Sequence, residues 1–503
     1  MAVEREIKMM ADVDLVLPDL TDAWPGLCVG PVSEVDLVAV YYDTPTLSMA
    51  RSGVTLRSRT GEPGAIWTLK VSSPGQGSDL SRHEYLFDEP VGPIPLAARN
   101  TARAYVRSQR LDPVARLHTH RSQFSLAIDG KPLATMCDDR VVSDGGTEPF
   151  ASFREIEVEL AQGRVDRKAV EQIRARLRAA GCRDDEAPVP KAVRALGARA
   201  LEPPDVDLAP IGKRSTVEAL LRQVIGRSVE QIIDRQASVW VGDDPEELHL
   251  FRVAARRLRS DLRTFAPLLD NGWTEWLRDE LAWLGGEVGR GRDLDVMTER
   301  LISQMAKLPH DDARSIDRLL QRLAETAADA RRHVVDALSS DRFVELLDAL
   351  VDAAREPQFA ADSFELAERA AKPLVLELVD KPWRRLIRAV DQLRPGSPDA
   401  AFHGVRIRAK LLRYAVEAVA PLYGHDAMRL AKRIAAVQSV LGLHQDTTVA
   451  EAWLREAAEV VPSVRLVAGE LVALERVERE DLRRQFKTIW KKASKPKLRS
   501  WMH

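Results

Sequence analysis

Near residue 200 the spacing of apolar residues changes, and no single core can serve both patterns. Before that point, short runs alternate apolar and polar residues with a period of two. Turn residues interrupt them at 61–64, 74–77, 129–130 and 144–146. This pattern predicts strands over 2–10, 37–44, 54–59, 65–71, 80–87, 114–127, 133–142 and 152–160, enough to close an antiparallel barrel or sandwich, with helices near 96–108 and 167–180. After that point, apolar residues recur at three- and four-residue steps in a sequence rich in Ala, Leu, Arg and Glu, which predicts a bundle of many helices. The expected fold class is α+β in two domains. The first is an N-terminal antiparallel β-barrel with flanking helices (1–200). A linker (201–214) joins it to a C-terminal all-α bundle (215–503).

The helical half repeats itself. His249-Leu-Phe-Arg252-Val-Ala-Ala-Arg256-Arg257-Leu-Arg259 is answered 154 residues later by His403-Gly-Val-Arg406-Ile-Arg-Ala-Lys410-Leu-Leu-Arg413. Gly289-Arg-Gly-Arg292-Asp293 is answered 153 residues later by Gly442-Leu-His-Gln445-Asp446. Two copies of one helical unit predict a pseudo-twofold arrangement.

With 74 Lys and Arg against 76 Asp and Glu, the net charge of −2 excludes a globally basic nucleic-acid binder but not local basic surfaces. The three cysteines, Cys28, Cys137 and Cys182, match no zinc spacing and no disulfide framework, which fits a reducing cytoplasm. No apolar signal core opens the sequence, and no stretch approaches the ~18 apolar residues of a membrane span. A soluble protein with no membrane partner is expected.

The charges of the first half are in phase. Glu4, Glu6 and Lys8 share one face of the first strand, and Glu155, Glu157 and Glu159 share one face of the last. Arg57 and Arg59, Lys70, Arg82 with Glu84, and Arg121 recur on strands between. On one strand such a face is ordinarily solvated. Across a closed barrel the same pattern puts carboxylates opposite cations inside, where a divalent metal and a polyanion can be held together. Phosphoryl transfer needs that arrangement, because charge on the equatorial oxygens must be neutralised.

Glu4-x-Glu6-x-Lys8, Tyr41-Tyr42-Asp43-Thr44-Pro45, Leu56-Arg57-Ser-Arg59, Trp67-Thr-Leu-Lys70, Arg82-x-Glu84 and Asp138-Asp139 with Arg154-Glu155-Ile-Glu157-Val-Glu159 resemble, in order, the blocks of the CYTH superfamily of triphosphate tunnel metalloenzymes. The resemblance implies that Glu4, Glu6, Glu157 and Glu159 ligate Mg2+ or Mn2+. It also implies that Lys8, Arg57, Arg59 and Lys70 bind the triphosphate with help from Arg82 and Arg121, and that water attacks the terminal phosphorus in line. Glu84, Asp139 and Glu155 are acidic tunnel positions with no assigned role. Lys191 is similar to a lysine near the family's C-terminal helix, but Pro190 precedes it where the family usually has a small residue. His118 and His120 read as satisfied strand residues, since hard metals prefer oxygen.

In the second half, His249, Arg252, Arg256, Arg259 and Arg263 form one stripe on a helix, and His403, Arg406, Lys410 and Arg413 form another. Arg257 lies beside the first, and Arg429, Lys432 and Arg433 make a third cluster. Few acids lie at helical spacing to neutralise them. These residues resemble the CHAD domain, which implies binding of inorganic polyphosphate without catalysis. The aromatic residues, 5% of the chain, do not interleave with the arginines, which argues against nucleic acid. The expected activity is metal-dependent hydrolysis of inorganic tripolyphosphate, with long-chain polyphosphate held by the helical half and polyphosphate granules as a place of association. The rivals are an organic triphosphatase or adenylate cyclase, a non-catalytic polyphosphate-binding protein, and a nucleic-acid binder.

Overall fold

Strand β1 (Ala2–Ala11) pairs along one edge with β6 and along the other with β9, and that double pairing closes the sheet. In the computed structural model, which describes residues 2–62, 64, 66–73, 80–144, 151–161, 165–185, 189–242, 244–309 and 312–502, the chain divides into two compact units, Met1–Asp205 and Val206–His503. The first unit contains β2 (Leu27–Val29), β3 (Ser33–Asp43), α1 (Ser48–Arg51), β4 (Val54–Thr60), β5 (Trp67–Ser73), β6 (Leu80–Phe87), α2 (Leu96–Thr101), α3 (Arg103–Val106), β7 (Asp112–Ile128), β8 (Lys131–Asp144), β9 (Ser152–Leu160), α4 (Arg167–Ala179), β10 (Arg183–Asp184) and α5 (Lys191–Leu196). Around the barrel the order is β1, β6, β5, β4, β3, β7, β8, β9 and back to β1, all antiparallel. The short β2 and β10 lie outside this ring, on β7 and β1, and the period-two pattern did not reveal them.

Local chemistry fixes the register. Asp129 and Gly130 both have positive φ (49° and 74°), and Ile128 pairs with Lys131, so a two-residue turn joins the two longest strands. At Gly61, φ is +113° and an added Cβ would lie 2.1 Å from the Asp36 carbonyl oxygen; only glycine fits this turn.

Part of the barrel wall is apolar outside and charged inside. Met9, Met136, Ile156 and Val158 face outward and bury Ala169, Val170, Ile173 and Leu177 of α4, whose N-cap Asp166 accepts from the Lys168 and Ala169 amides. The alternate residues of β1 and β9 therefore point into the barrel. Asp138 and Arg154 are on the outer face, where they form a bidentate pair (2.8 and 2.7 Å), and Arg154 also donates to the Asp12, Val13 and Leu15 carbonyls.

The second unit consists of α6 (Val217–Val241), α7 (Pro245–Phe265), α8 (Asn271–Met305), α9 (Ala313–Ser339), α10 (Asp341–Arg355), α11 (Ala371–Leu374), α12 (Leu376–Asp391), α13 (Asp399–Tyr423), α14 (His425–Val460) and α15 (Arg465–Ala493). Four helices, α6 to α9, are repeated in order by α12 to α15, close to length in the last three pairs and with α12 (16 residues) shorter than α6 (25), and α10 and α11 lie between the copies. The internal repeat read from the histidine motifs is thus a repeat of whole four-helix units. Gly289 of α8 faces Arg252, and Gly442 of α14 faces Arg406, so the two copies match in space as well as in sequence. The copies share a core in which Leu301, Leu319 and Leu323 pack with Leu454, Val467 and Leu471. Pro245 opens α7, but Pro382 and Pro421 lie inside α12 and α13, so proline does not always mark a helix end here. No described helix is long and apolar enough to cross a membrane.

Candidate functional site

The barrel encloses a cavity of about 310 Å³ whose lining includes Glu6, Lys8, Arg57, Arg59, Lys70, Glu84, Arg121, Glu157, Glu159 and Lys191. Cross-strand register explains the convergence. Glu6 is opposite Glu159, Lys8 opposite Glu157, Arg121 opposite Asp139 and Lys70 opposite Glu84, and paired residues share a face.

The acidic side is a buried network. Glu6, Glu157 and Glu159 each present a carboxylate oxygen, all within 4.8 Å of one another. Lys8 Nζ lies 2.6 Å from Glu157 and 3.5 Å from Glu6. Lys191 Nζ lies 2.7 Å from Glu157, 2.9 Å from Asp139 and 3.4 Å from Glu155. Arg121 donates twice to Asp139 at 2.7 Å, and it reaches Glu157 at 3.3 Å. Arg194 donates to Glu155 (3.1 Å) and Asp185 (2.5 Å).

Burial would raise the Glu157 carboxyl, but the charges of Lys191, Lys8 and Arg121 outweigh it and hold the group well below its ordinary value. Burial would lower Lys191, yet Glu157, Asp139 and Glu155 hold it well above its ordinary value. Both groups are therefore charged at neutral pH.

The facing side is cationic. Arg57 approaches the Tyr41 hydroxyl at 3.4 Å, while its Nε is buried with no hydrogen-bond partner. Arg59 pairs with Glu62, and Lys70 Nζ lies 3.5 Å from Glu84. Burial, then the adjacent Arg57, pulls Arg59 below the usual arginine value, a sign of cations crowded together. The side chains of Glu4 and Arg82 lie outside the described residues; in β1 and β6 their backbones are directly paired. His118 and His120 are on the barrel's exterior beside Asp144 (3.7 Å) and Asp36 (2.9 Å).

Lys191, like Glu84, Asp139 and Glu155, gains no role from sequence spacing alone. It enters the cavity because α5 lies across one end of the barrel: Ala192 packs against Ala39, Tyr41, Ala115, Leu117 and Val141, which face inward. The apolar stretch Ala192, Val193, Ala195, Leu196 directly after Lys191 is the signal that marks α5 as a plug.

In the helical unit, a cavity of about 700 Å³ is lined from both repeats. α7 supplies His249, Arg252, Arg256 and Arg257; α13 supplies His403, Arg406, Lys410 and Arg413. Two carboxylates, Glu246 and Asp446, are among its described lining residues. The side chains of Arg292 and Asp293, from the second repeated motif, lie outside the described residues.

Arg256 donates to the hydroxyl of buried Tyr414 (3.2 Å), and Arg257 and Arg413 lie over the Tyr414 ring at 5.6 and 5.9 Å. Glu417 binds Arg257 (2.9 Å) and Arg413 (2.7 Å), so two of the arginines do have an acidic partner. Spacing within one helix concealed part of this, because the Arg257–Glu417 pair crosses between repeats.

The first stripe divides. Arg259 does not line this cavity, and Arg263 belongs to smaller cavities farther along α7. Arg429, Lys432 and Arg433 are exposed on α14 away from it, with Arg429 3.1 Å from Asp426.

Two family models match the chain, described as CYTH domain over residues 3–186 and as CHAD domain over residues 223–455. Two uncharacterised proteins from strains of Mycobacterium tuberculosis are each 29% identical over 488 residues, covering 90% of this chain and 89% of theirs. Among solved structures, PptA from Streptomyces chartreusis is similar at 25% identity and a TM-score of 0.47, covering 55% of this chain and 100% of that one. The CHAD domain from the plant Ricinus communis is similar at 24% identity and a TM-score of 0.48, covering 59% of this chain and 95% of that one.

Proposed function

We propose that this chain, a CYTH domain joined to a CHAD domain, hydrolyses inorganic tripolyphosphate in its barrel and holds inorganic polyphosphate in its helical cavity. CYTH barrels as a class are triphosphate tunnel enzymes, generally dependent on a divalent metal. The observation that carries the finer reading is the opposition, in one 310 Å³ cavity, of the Glu6–Glu157–Glu159 cluster to Arg57, Arg59 and Lys70.

Three converging carboxylates fit a hard divalent cation, Mg2+ or Mn2+, with Glu4 in phase on the same strand. When bound, such an ion supplies charge neutralisation at the phosphate oxygens. The chain's own residues do the rest. Arg57 and Arg59 present guanidinium forks to the phosphate oxygens, and Lys70 adds a point charge. Lys8, Lys191 and Arg121 keep Glu157 and Asp139 ionised, so the acidic wall stays ready for a cation.

A linear inorganic chain suits the lining better than an organic triphosphate. Among the described lining residues only Tyr41 and Pro190 offer carbon surface of any extent, and α5 fills the barrel's apolar end. The test is phosphate release from tripolyphosphate, pyrophosphate, ATP and thiamine triphosphate with Mg2+ or Mn2+. Tripolyphosphate should turn over fastest, and Arg59→Ala should lower that rate by about 10²–10³, as for loss of one transition-state charge stabiliser. Faster ATP or thiamine triphosphate turnover would overturn the substrate assignment.

In the helical unit, six cations against two carboxylates among the described lining residues of one cavity suit a phosphate chain. Arg252→Ala with Arg406→Ala should weaken polyphosphate binding and leave tripolyphosphate hydrolysis nearly unchanged. Co-sedimentation of the protein with polyphosphate granules, lost in the same variant, would test association with them.

A further inference from the structure

The row of cations on α7 does not stop at the central cavity. Arg263, seven residues beyond Arg256 and thus about 10 Å along the helix, lines two further cavities of about 340 and 440 Å³. Arg385 of α12 and Arg408 of α13 line both, and Arg388 adds to the larger. Ile407 lines both the central cavity and the 440 Å³ one, so the two adjoin.

Among the described residues, none of Arg263, Arg385, Arg388 and Arg408 has a carboxylate partner within 4.0 Å. Among the described residues, the one carboxylate lining these cavities is Glu377. Burial, and then the charges of Arg278, Arg385, Arg259 and Arg408, pull Arg263 below the usual arginine value. Arg278 itself has a buried Nε with no hydrogen-bond partner. Cations this close repel each other unless an anion lies among them.

The repeat shows that this chamber is one-sided. The residue of α13 equivalent to Arg263 is Glu417, 154 residues on, and it turns back to Arg257 and Arg413. The residue of α7 equivalent to Arg408 is Ala254. One copy of the helix ends by neutralising the central arginines; the other ends by extending them.

We propose that a phosphate chain held in the central cavity leaves it past Ile407 into the chamber of Arg263, Arg385 and Arg408, and leaves on that side only. The inference rests on the reading of the helical unit as a polyphosphate binder. It makes affinity depend on chain length, because a short chain fills the central cavity and a long one also fills the chamber.

The test measures binding of size-fractionated short-chain and long-chain polyphosphate, without divalent metal, to the full chain and to Arg385→Gln/Arg408→Gln. Both residues are exposed and lie outside the central cavity. Long-chain affinity should fall about tenfold and short-chain affinity should hold within about twofold. The slope of log affinity against log salt for the long chain should shrink by about 1.4–1.8, for two lost phosphate contacts.

Arg429→Gln/Lys432→Gln/Arg433→Gln should change neither affinity; an equal loss there would contradict a single exit. Unchanged long-chain binding in Arg385→Gln/Arg408→Gln, or equal loss for both lengths, would overturn the proposal. If Arg252→Ala/Arg406→Ala leaves the affinity for both chain lengths unchanged, the reading of the helical unit as a polyphosphate binder fails instead.

Discussion

Replacing Lys191 by methionine keeps an unbranched side chain one atom shorter and removes one ammonium from among three buried carboxylates, at 2.7 Å from Glu157, 2.9 Å from Asp139 and 3.4 Å from Glu155. Breaking a buried ion pair from one side usually costs 3–5 kcal/mol; here Lys8 and Arg121 remain on Glu157 and Asp139, so about 3 kcal/mol is expected. At roughly 2–4 °C per kcal/mol for a unit of this size, the barrel's melting transition should fall by about 6–12 °C at pH 7.

The pH dependence has a definite sign. Glu157 is depressed, so its contribution is present above its ordinary 4.5 and lost as pH falls through its folded value. Lys191 is raised, so its contribution is present below its ordinary 10.5 and lost as pH rises through its folded value. The penalty of Lys191→Met should therefore be largest between those limits and should shrink as the carboxylates protonate in acid.

Calorimetry of the full chain reads this directly, with Leu412→Ala, in the core of α13, identifying the helical unit's transition. Adding Glu157→Gln to Lys191→Met should recover part of the loss. A barrel transition within about 1 °C of wild type at pH 7 would refute the buried network, since so small a shift is under ~0.5 kcal/mol.

Other expectations follow from single sites. Burial pushes the Asp261 carboxyl up to about 8, so the folded state holds a proton that the unfolded state releases near 3.8; stability of the helical unit should fall as pH rises from 4 to 8 by at most about 1.4 kcal/mol per pH unit, and Asp261→Asn should flatten that slope in pH-dependent urea titrations. Gly61→Ala puts a Cβ 2.1 Å from the Asp36 carbonyl oxygen at φ +113° and should cost about 2 kcal/mol or more by denaturant unfolding. Tyr414→Phe removes the hydroxyl that Arg256 donates to, and should weaken polyphosphate binding by about fivefold, or ~1 kcal/mol, in a titration.

Much of the barrel could be read from the chain because alternation is a local property. The phase of Glu6 and Lys8, or of Glu157 and Glu159, follows from strand geometry alone, and Asp129-Gly130 specifies its turn within two residues. The strands β2 and β10 are too short to show a period. Lys191 was less legible, because its place depends on α5 docking against strands more than fifty residues earlier in the chain.

The same division holds in the helical unit. The repeat, and the cavity formed where its two stripes meet, follow from spacing and symmetry. Tyr414 and Glu417 do not, since their pairings with Arg256 and Arg257 join one repeat to the other. The bend of the α7 stripe away from the central cavity at Arg259 and Arg263 also depends on where α12 and α13 pack. Helical spacing says which residues share a face, but not which neighbour covers each turn of it.

Anomalous diffraction from crystals grown with Mn2+ and tripolyphosphate is the most direct check on a barrel that holds metal and phosphate between opposite walls. The expected result is a manganese peak at coordination distance from Glu6, Glu157 and Glu159, with the phosphate chain against Arg57, Arg59 and Lys70. Manganese found only on the barrel's exterior, or a phosphate chain that does not touch those cations, would contradict it.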